Sequence, residues 1–357
     1  MPPIIVLIGG FLGAGKTTLI LAAARELQRR GLRSAAILND QGLDLVDTRL
    51  AAANGIDTDQ VVGGCFCCRF SDLVQSALRL REHSPDVIFA EAVGSCTDIC
   101  ATTLHPLKLS YSREFGVSPF TVLVDPQQAQ SLAAGDADTE WSFLFHKQIE
   151  EADLICLNKV DRHSDFPDLR GAPLRYISAL TGEGVPEWLD EILAGEAPAG
   201  ARILDIDYER YARAEASLAW LNCRAALELE TPLSPAVVVG PLLEGLDEAL
   251  SAAGLQIAHL KIMDDAPSGY VKAAITRNRE EPSAQGMLDA SPSVIHELLL
   301  NVRAAGDPET LRLLVEQQLG AIPGTVELQS MECFRPSPPV PERRIAGREL
   351  SPVKVDL

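Results

Sequence analysis

Short apolar runs recur along residues 1–190, and turn residues bound each of them. They are Ile4–Ile8, Ser34–Leu38, Val87–Ala90, Phe120–Val124, Leu154–Leu157 and Arg175–Ile177. Uninterrupted runs of this length are typical of strands buried on both faces of a parallel sheet. The segments between them, such as Thr18–Arg30 and Ser71–His83, have helical spacing. This alternation predicts an α/β domain over residues 1–195, with a mainly parallel, doubly wound sheet.

The pattern changes after residues 195–201 (GEAPAGA), and this composition predicts a linker over residues 196–215. Beyond the linker, residues 219–226 (AWLNCRAA) and 298–305 (LLLNVRAA) form an internal repeat. Each copy is followed by a Pro-containing turn and a helical segment, namely Pro235–Ala253 and Pro308–Leu319.

Two further strands are predicted between the copies, at His259–Met263 and Tyr270–Thr276. The resulting order, β-α-β followed by β-β-α, predicts a smaller α+β, ferredoxin-like domain over residues 216–330. A Pro-rich tail is expected over residues 331–357. The repeated side chains are either binding residues or pseudo-symmetric positions that serve packing and hydrogen bonding, and we favour the second interpretation. They are Asn222, Arg224, Asn301 and Arg303.

Composition and charge narrow the classes of function. The chain has 46% hydrophobic residues and a formal net charge of -19, so phosphate backbones and anionic membranes would repel it. No apolar stretch approaches the ~20 residues that span a bilayer. The segment Met1–Ile8 lacks a positive flank, which indicates a first strand and not a signal peptide. We expect a cytoplasmic protein with reduced thiols that binds neither nucleic acid nor membrane.

A phosphate-binding loop follows the first predicted strand. Residues 10–17 read GFLGAGKT, a full G-x-x-x-x-G-K-[ST] match between a strand and a helix. The glycines let successive N–H groups face a phosphate, and the helix N-terminus adds a favourable dipole. Lys16 is expected at the β- and γ-phosphates, and the Thr17 hydroxyl on Mg²⁺. The predicted contacts are Gly10, Gly13, Ala14, Gly15, Lys16, Thr17 and Thr18.

A carboxylate for the Mg²⁺ site is expected at the end of a neighbouring strand, and Glu91 follows the run Val87–Ala90. Glu91 would hold a Mg²⁺-bound water or help polarise the attacking one, and the Gly94 amide could face the γ-phosphate. The alternative is an ordinary carboxylate at a strand end.

The base is predicted to be guanine. The run Asn158-Lys159-Val160-Asp161 follows a buried strand, and the Asp161 carboxylate can accept hydrogen bonds from guanine N1 and N2, whereas adenine lacks this donor pair. Asn158 would brace the loop and Lys159 would lie over the base. After the next strand, backbone amides of Ser178, Ala179 and Leu180 would contact guanine O6.

Three cysteines, Cys65, Cys67 and Cys68, lie within the run GGCFCC at residues 63–68. In an extended segment Cys65 and Cys67 share a face, and Cys68 needs a local turn to join them. Three thiolates can bind Zn²⁺ or another soft ion and leave a position open, which suits metal transfer. The alternatives are buried packing cysteines or a redox role. Cys96 and Cys100 could join the cluster, but we favour packing for both.

These motifs together resemble the CobW-like GTPases, metallochaperones related to the nickel-insertion GTPases of urease and hydrogenase maturation. The resemblance covers about residues 1–190 and rests on GGFLGAGKTT, GGCFCC, the strand ending in Glu91, and NKVD. It implies Mg²⁺-dependent GTP hydrolysis and a metal, often Zn²⁺, held by Cys65, Cys67 and Cys68. It also implies a client metalloprotein or metal-cofactor pathway protein as partner, and a homodimer is compatible with it.

The C-terminal half of the chain does not match the family's usual C-terminal domain, and within residues 1–190 the chain departs from the family pattern at two places. Asn39-Asp40 stands where the family has Asn-Glu, so Asp40 is expected near Mg²⁺ or the second metal, with Asp40–Leu50 as the segment that γ-phosphate orders. Glu91-Ala92-Val93-Gly94 stands where the family has Glu-Thr-Thr-Gly, which removes two hydroxyls near the attacking water.

The function predicted from the sequence is a GTPase that couples nucleotide state to metal binding and delivery. Two other classes stay open at this point. One is a GTP-dependent regulatory switch or scaffold with structural cysteines. The other is an ATP-dependent small-molecule kinase or ligase, against which Asp161 argues.

Overall fold

The computed structural model describes residues 2–42, 46–134, 139–169 and 171–346. The chain divides into two compact units. Unit 1 combines Met1–Gln41, Asp47–Ala214 and the segment that starts at Pro338, whereas unit 2 combines Gly42–Val46 and Glu215–Ser337. Within the described ranges, no helix has both the length and the apolar character needed to cross a bilayer.

Unit 1 is built on a parallel sheet, and its helices connect successive strands. Its strands are β1 (Ile4–Gly10), β2 (Ser34–Asn39), β3 (Asp57–Val61), β4 (Val87–Glu91), β5 (Gly116–Val117), β6 (Thr121–Val124), β7 (Leu154–Leu157) and β8 (Leu174–Tyr176). Its helices are α1 (Lys16–Arg29), α2 (Val46–Ala53), α3 (Phe70–Arg81), α4 (His105–Ser110), α5 (Pro126–Ala134), α6 (Glu140–Glu151), α7 (Val185–Leu193) and α8 (Tyr208–Ala216), with a π-helical turn at Cys100–Leu104 before α4.

The strand order β3-β2-β4-β1-β6-β7-β8, with β5 also paired to β1, places the ends of three strands side by side. Ile8 of β1 and Leu38 of β2 both pair with Glu91 of β4 in parallel register. The carboxyl ends of β1, β2 and β4 therefore meet at one edge, where open α/β sheets bind ligands. The predicted parallel α/β fold is confirmed.

Unit 2 is an antiparallel sheet with two helices. Its elements are β9 (Leu218–Leu233), α9 (Pro235–Ala252), β10 (Gln256–Ala266), β11 (Gly269–Ile275), β12 (Ser283–Gly286), β13 (Ser293–Ala305), α10 (Pro308–Leu319) and β14 (Gly324–Phe334). The strand order is β12-β11-β10-β13-β9-β14. Its four strands β14-β9-β13-β10 have the order of a ferredoxin-like split βαβ unit, and the β11–β12 pair extends the β10 edge. The predicted smaller α+β unit is confirmed.

The two copies of the repeat are neighbouring strands of this sheet. Asn222 of β9 and Asn301 of β13 are direct register partners, and the Asn301 amide donates to Asn222 Oδ1 at 3.0 Å. Asn301 Oδ1 in turn accepts from the Val46 N–H at 2.9 Å. The Arg303 guanidinium lies 4.2 Å from the centroid of its register partner, Trp220. These contacts agree with the favoured interpretation of the repeat as paired packing positions.

Three stretches differ in detail from the expected organisation. The residues assigned to a linker, 196–215, include most of α8, and those assigned to the tail, 331–357, begin with the last four residues of β14. β3 lacks an apolar run because four of its five residues, DTDQ, are polar. Polar edge strands of this kind give no hydrophobic signal.

Candidate nucleotide and metal site

The glycine loop after β1 has the backbone of a phosphate cradle. Gly10, Gly13 and Gly15 have φ values of 131°, 79° and 98°, conformations that favour glycine. A Cβ at Gly10 would lie 2.4 Å from the Leu123 carbonyl oxygen. The Lys16 ammonium, buried at the start of α1, donates to the Gly10 carbonyl at 2.9 Å. The positive charge of Lys16 is thereby held over the loop.

Thr17 and Glu91 meet beside this loop. The Thr17 hydroxyl lies 2.9 Å and 3.2 Å from the two carboxylate oxygens of Glu91. Both side chains are buried, at 5% and 8% exposure. A hydroxyl and a carboxylate are hard oxygen donors of the kind that Mg²⁺ accepts, so this pair fits the predicted Mg²⁺ site.

The segment after Glu91 packs directly on the phosphate loop. A Cβ at Gly94 would lie 2.7 Å from the Leu12 side chain and 3.0 Å from the Leu12 nitrogen. The Gln148 amide of α6 donates to the carbonyls of Gly94 and Cys96, both at 2.9 Å. Gly94 therefore lies against the phosphate loop, where a Cβ would force the Leu12 side chain to shift.

Asn158 connects the phosphate loop to the loop after β8. Its amide donates to the Ala14 carbonyl at 2.8 Å, and its Oδ1 accepts from the Ala179 N–H at 2.9 Å. Lys159 has a positive φ of 63°, and its ammonium contacts the buried Asp125 carboxylate at 2.6 Å. Asn158 thus braces both loops, whereas Lys159 is held by Asp125.

Asp161 is oriented by the loop after β8. Its Oδ1 accepts from the Ser178 hydroxyl at 2.5 Å, while the Asp161 side chain is exposed and Ser178 is fully buried. Leu180 is 53% exposed. The loops that carry the predicted base-reading residues therefore lie side by side.

The three clustered cysteines converge through a turn. Cys68 N–H and Arg69 N–H both donate to the Cys65 carbonyl, at 3.0 Å and 2.9 Å, which leads into α3. The Sγ distances are 2.7 Å from Cys65 to Cys67, 3.5 Å from Cys65 to Cys68, and 3.6 Å from Cys67 to Cys68. All three Sγ atoms lie within 4.8 Å of one another, so that within the described residues these cysteines form a group that could hold a metal ion.

The environment of two of these thiols, Cys67 and Cys68, favours their neutral form. Hydrogen bonds with the thiols of Cys65, Cys68 and Cys96, together with burial, raise the pKa of Cys67. The hydrogen bond with Cys65 is the main reason that the pKa of Cys68 is raised to about 11. A metal ion bound here must therefore displace protons from the thiols.

Cys96 and Cys100 have different surroundings. Cys96 is buried and hydrogen-bonds to Cys67, so it borders the cluster rather than packing apart from it. Cys100 is buried in the π-helical turn, where its thiol contacts the Glu151 carbonyl at 3.4 Å. The packing expected of both cysteines thus describes Cys100 better than Cys96.

Asn39, the last residue of β2, holds the cysteine loop. Its amide donates to the carbonyls of Val61 and Gly64, at 2.9 Å and 2.8 Å. Its Oδ1 accepts from the Phe66 N–H at 2.9 Å. Asp40 follows with its N–H bonded to the Val61 carbonyl at 3.1 Å. Residues 43–45 of the expected moving segment lie outside the described residues.

Comparison with known proteins agrees with these motifs. Residues 4–175 match the family model "CobW/HypB/UreG, nucleotide-binding domain". This part of the chain is therefore similar to the CobW/HypB/UreG nucleotide-binding domains. The resemblance to CobW-like P-loop GTPases, predicted for about residues 1–190, is thereby confirmed over residues 4–175. The Asn39 hydrogen bonds connect the end of β2 to the cysteine loop within this part of the chain.

Three curated relatives are similar to part of this chain. The zinc chaperone YeiR of Escherichia coli (strain K12) is 28% identical over 163 residues, covering 44% of this chain and 46% of the relative. The zinc chaperone CobW of Sinorhizobium sp is 29% identical over 184 residues, covering 43% and 50%. The zinc chaperone YjiA of Escherichia coli (strain K12) is 36% identical over 77 residues, covering 22% and 24%. The chain thus spans half or less of each relative's length.

Sequence patterns alone missed two neighbours of the cysteine loop. One is the set of Asn39 hydrogen bonds. The other is the segment from Pro338, whose Val340 N–H donates to Cys68 Sγ at 3.2 Å. The run Pro338–Pro341 contains a single non-proline residue, and this was the only signal in the sequence that could have pointed to a specific amide.

Proposed function

We propose that this protein is a GTPase that carries a metal ion, Zn²⁺, on Cys65, Cys67 and Cys68 and delivers it to a client metalloprotein or metal-cofactor pathway protein. The observation that carries the proposal is the position of Asn39. It ends β2, beside the strand that ends in Glu91, and its side chain hydrogen-bonds three backbone groups around the cysteine loop. A change at the nucleotide site can thus reach the thiols through one residue.

Hydrolysis is assigned to the loop after β1 and to Glu91. Lys16 neutralises charge on the phosphates, and the loop amides orient them. Thr17 and Glu91 would hold Mg²⁺, which supplies charge stabilisation at the phosphates when bound. Asp40 and Gly94 are assigned to the γ-phosphate side of the site, where they would orient the attacking water.

Recognition of guanine is assigned to Asp161. Its carboxylate is exposed and fixed by Ser178, so it can accept hydrogen bonds from N1 and N2 of guanine. ATP offers no such donor pair at this position. The class of ATP-dependent kinases or ligases is therefore disfavoured by the same carboxylate.

The metal is assigned to the three thiols, because thiolates select soft or borderline ions such as Zn²⁺. Three protein ligands leave one coordination position for transfer to an acceptor. The zinc chaperone names of the relatives support the same assignment. A nucleotide-dependent homodimer is part of the proposal, since two copies would bring two cargo ions to one client.

Coupling requires that bound nucleotide changes the affinity of the protein for the metal, and that bound metal changes its affinity for the nucleotide. We expect GTP to order the segment that follows Asp40, to alter the Asn39 hydrogen bonds and thereby to change the metal affinity of the thiols. Hydrolysis would restore the weaker-binding arrangement and release the ion.

The test is the GTP hydrolysis rate of reduced, metal-free protein as buffered free Zn²⁺ is raised. We expect the rate to change with Zn²⁺ in the wild-type protein and to stay flat in a Cys65/Cys67/Cys68→Ala variant. An Asn39→Ala variant should still bind Zn²⁺ but lose the response of the rate. If wild type and both variants hydrolyse GTP equally at every Zn²⁺ level, metal delivery loses its support and a regulatory GTPase with structural cysteines is the better description.

A further inference from the structure

A segment near the C-terminal end of unit 1 runs along the cysteine loop. We call residues 338–346 the strap. The Val340 N–H donates to Cys68 Sγ at 3.2 Å, and the Glu342 N–H donates to the Cys67 carbonyl at 2.9 Å. Two successive members of the C-x-C-C motif thus each receive a hydrogen bond from the strap.

The strap is fixed to the start of α3, directly after the cysteines. A Glu342 carboxylate oxygen accepts from the Ser71 N–H at 3.1 Å and from the Ser71 hydroxyl at 2.6 Å. The Arg343 guanidinium lies 5.4 Å from the centroid of the Phe70 ring. These contacts hold the strap on the same turn that brings the three thiols together.

A second attachment lies further along the strap, at the π-helical turn and the start of α4. The Ile345 N–H donates to the Ala101 carbonyl at 2.8 Å, and the Ile345 carbonyl lies 3.0 Å from His105 Nδ1. Arg344 contacts the buried Asp98 carboxylate at 2.8 Å and 3.3 Å. The strap is therefore an ordered part of unit 1, held at more than one point.

The sequence of the strap singles out one amide. Residues 338–341 read PPVP, so Val340 carries the only backbone N–H of this run. The Val340 side chain is 72% exposed. Since the side chain is largely in solvent and the neighbouring residues cannot donate, the contribution of this position to the site is its N–H group.

We propose that the strap is part of the metal site and that the Val340 amide is a positioning group for the Cys68 thiolate. The proposal rests on the proposed function, because it assumes that the thiols hold a metal ion. A hydrogen bond from an N–H to a charged sulfur is stronger than one to a neutral thiol. The amide therefore favours the metal-bound state and fixes the direction of the Cys68 ligand.

This arrangement sets how tightly the ion is held. Partners of metal ligands commonly change metal affinity about 10–100-fold when they are removed. With the amide in place the site binds more tightly and releases more slowly. An acceptor that draws the strap away from Cys68 would weaken the site before taking the ion.

The experiment compares two substitutions at Val340 in the full-length, reduced protein. Val340→Pro removes the N–H in a run that is already proline-rich, and Val340→Ala keeps the N–H and removes only the exposed isopropyl group. Co²⁺ affinity is measured from thiolate-to-cobalt absorbance in competition with a buffered chelator. We expect Val340→Pro to bind Co²⁺ about 10-fold or more weakly than Val340→Ala. Equal affinities of the two variants would overturn the proposal.

A third variant keeps the proposal testable if Val340→Pro fails to fold, which circular dichroism would reveal. Glu342→Ala retains the Val340 amide but removes the carboxylate that attaches the strap to Ser71. Its Co²⁺ affinity is expected to fall in the same direction by several-fold, and an unchanged affinity would count against the strap. Wild-type protein that shows no thiolate-to-cobalt absorbance would refute the proposed metal function itself, which is a different outcome.

Discussion

At the scale of single residues, Gly15 lies in close contact with another residue of the nucleotide site. It has a φ of 98°, and a Cβ there would lie 2.4 Å from the Asn158 amide nitrogen. Gly31 offers a matched control, because its φ is 78° and a Cβ there would meet nothing within 4 Å. Both substitutions impose left-handed backbone strain, but only one displaces a side chain of the site.

We therefore expect Gly15→Ala to weaken GTP binding by at least 10-fold, since Asn158 must move away from Ala14 and Ala179. Gly31→Ala should cost only about 1–2 kcal/mol of stability and leave GTP affinity unchanged. Nucleotide titration with a fluorescent GTP analogue measures both. Equal GTP affinities of the two variants would show that the Gly15–Asn158 approach has no role in binding.

A buried carboxylate gives the protein a pH-dependent stability. Glu151 is fully buried and accepts from the Thr97 hydroxyl at 3.0 Å. Burial, followed by the charge of Asp98, raises the pKa of Glu151 to about 8. The folded protein thus keeps a proton that the unfolded chain releases above its lower pKa, so stability falls as pH rises through this window.

Glu151→Gln mimics the protonated form and should remove that loss. We expect the difference in the free energy of unfolding, variant minus wild type, to grow by about 1 kcal/mol for each pH unit between about pH 5 and 8. Urea denaturation at pH 5.5 and pH 7.5 measures the difference. Parallel pH profiles for the two proteins would mean that Glu151 is already ionised in the folded state.

At the scale of single residues, the sequence predicted the motifs but not the residues that hydrogen-bond to them. GFLGAGKT, NKVD and GGCFCC have fixed spacings, because phosphate, guanine and metal each demand particular donors at particular separations. The sequence also anticipated that Cys68 needs a turn to reach Cys65 and Cys67. It could not show that Asn39 bonds Gly64 and Phe66, since a hydrogen bond across 25 or 27 residues follows no periodicity.

Among the elements, β9 and β13 are neighbouring interior strands of the sheet in unit 2. Asn222 and Asn301 face each other there, at 2% and 6% exposure. The Asn222 amide also donates to the Glu332 carboxylate of β14 at 3.1 Å. Two buried amides at one register position thereby connect three strands and the Val46 N–H.

Removing either amide should leave buried polar groups without partners. We expect Asn222→Ala and Asn301→Ala each to destabilise unit 2 by about 1–3 kcal/mol. The double variant should lose less than the sum, with a coupling of about 0.5–3 kcal/mol. Denaturant unfolding monitored by Trp220 fluorescence provides the cycle. Strict additivity would indicate that the two side chains act independently.

Elements with a strong hydrophobic period were predicted almost to the residue, as α10 (Pro308–Leu319) illustrates. Three of the strands that were missed, β3, β12 and β14, lie at sheet edges. No residue of β14 is buried, and β12 reads SAQG. Such strands are fixed by hydrogen bonding to a neighbour already in place, and their side chains carry little pattern of their own.

For the whole molecule, the main feature that the sequence did not predict is the order of the two units along the chain. Unit 2 interrupts unit 1, because the chain returns to unit 1 at Pro338. The sequence predicted consecutive domains followed by a tail, since a Pro-rich, charged stretch is typical of an extended end. Contacts of that stretch with residues near position 68 leave no trace in local composition.

Shortening the chain tests whether the segment from Pro338 stabilises unit 1. A protein that ends at Ser337 lacks the strap, whereas one that ends at Ala346 keeps it. We expect amides of residues 65–71 and 98–105 to exchange hydrogen at least 10-fold faster in the shorter protein, while strands β9 and β13 keep their protection. Hydrogen exchange with mass spectrometry compares the two. Identical exchange near residue 68 would show that the strap does not stabilise the cysteine loop.

The position of the strap in the sequence also determines when it is synthesised relative to the cysteines. Cys68 and Val340 are separated by 272 residues, and a ribosome makes a chain in one direction while its early domains fold. The three thiols of a nascent chain are therefore already made while residues 215–337 of unit 2 are still to be synthesised. Under the proposed function, a newly made protein would acquire a weaker thiol site first and the complete one only once residue 340 is made, so translation would order the assembly of the metal site.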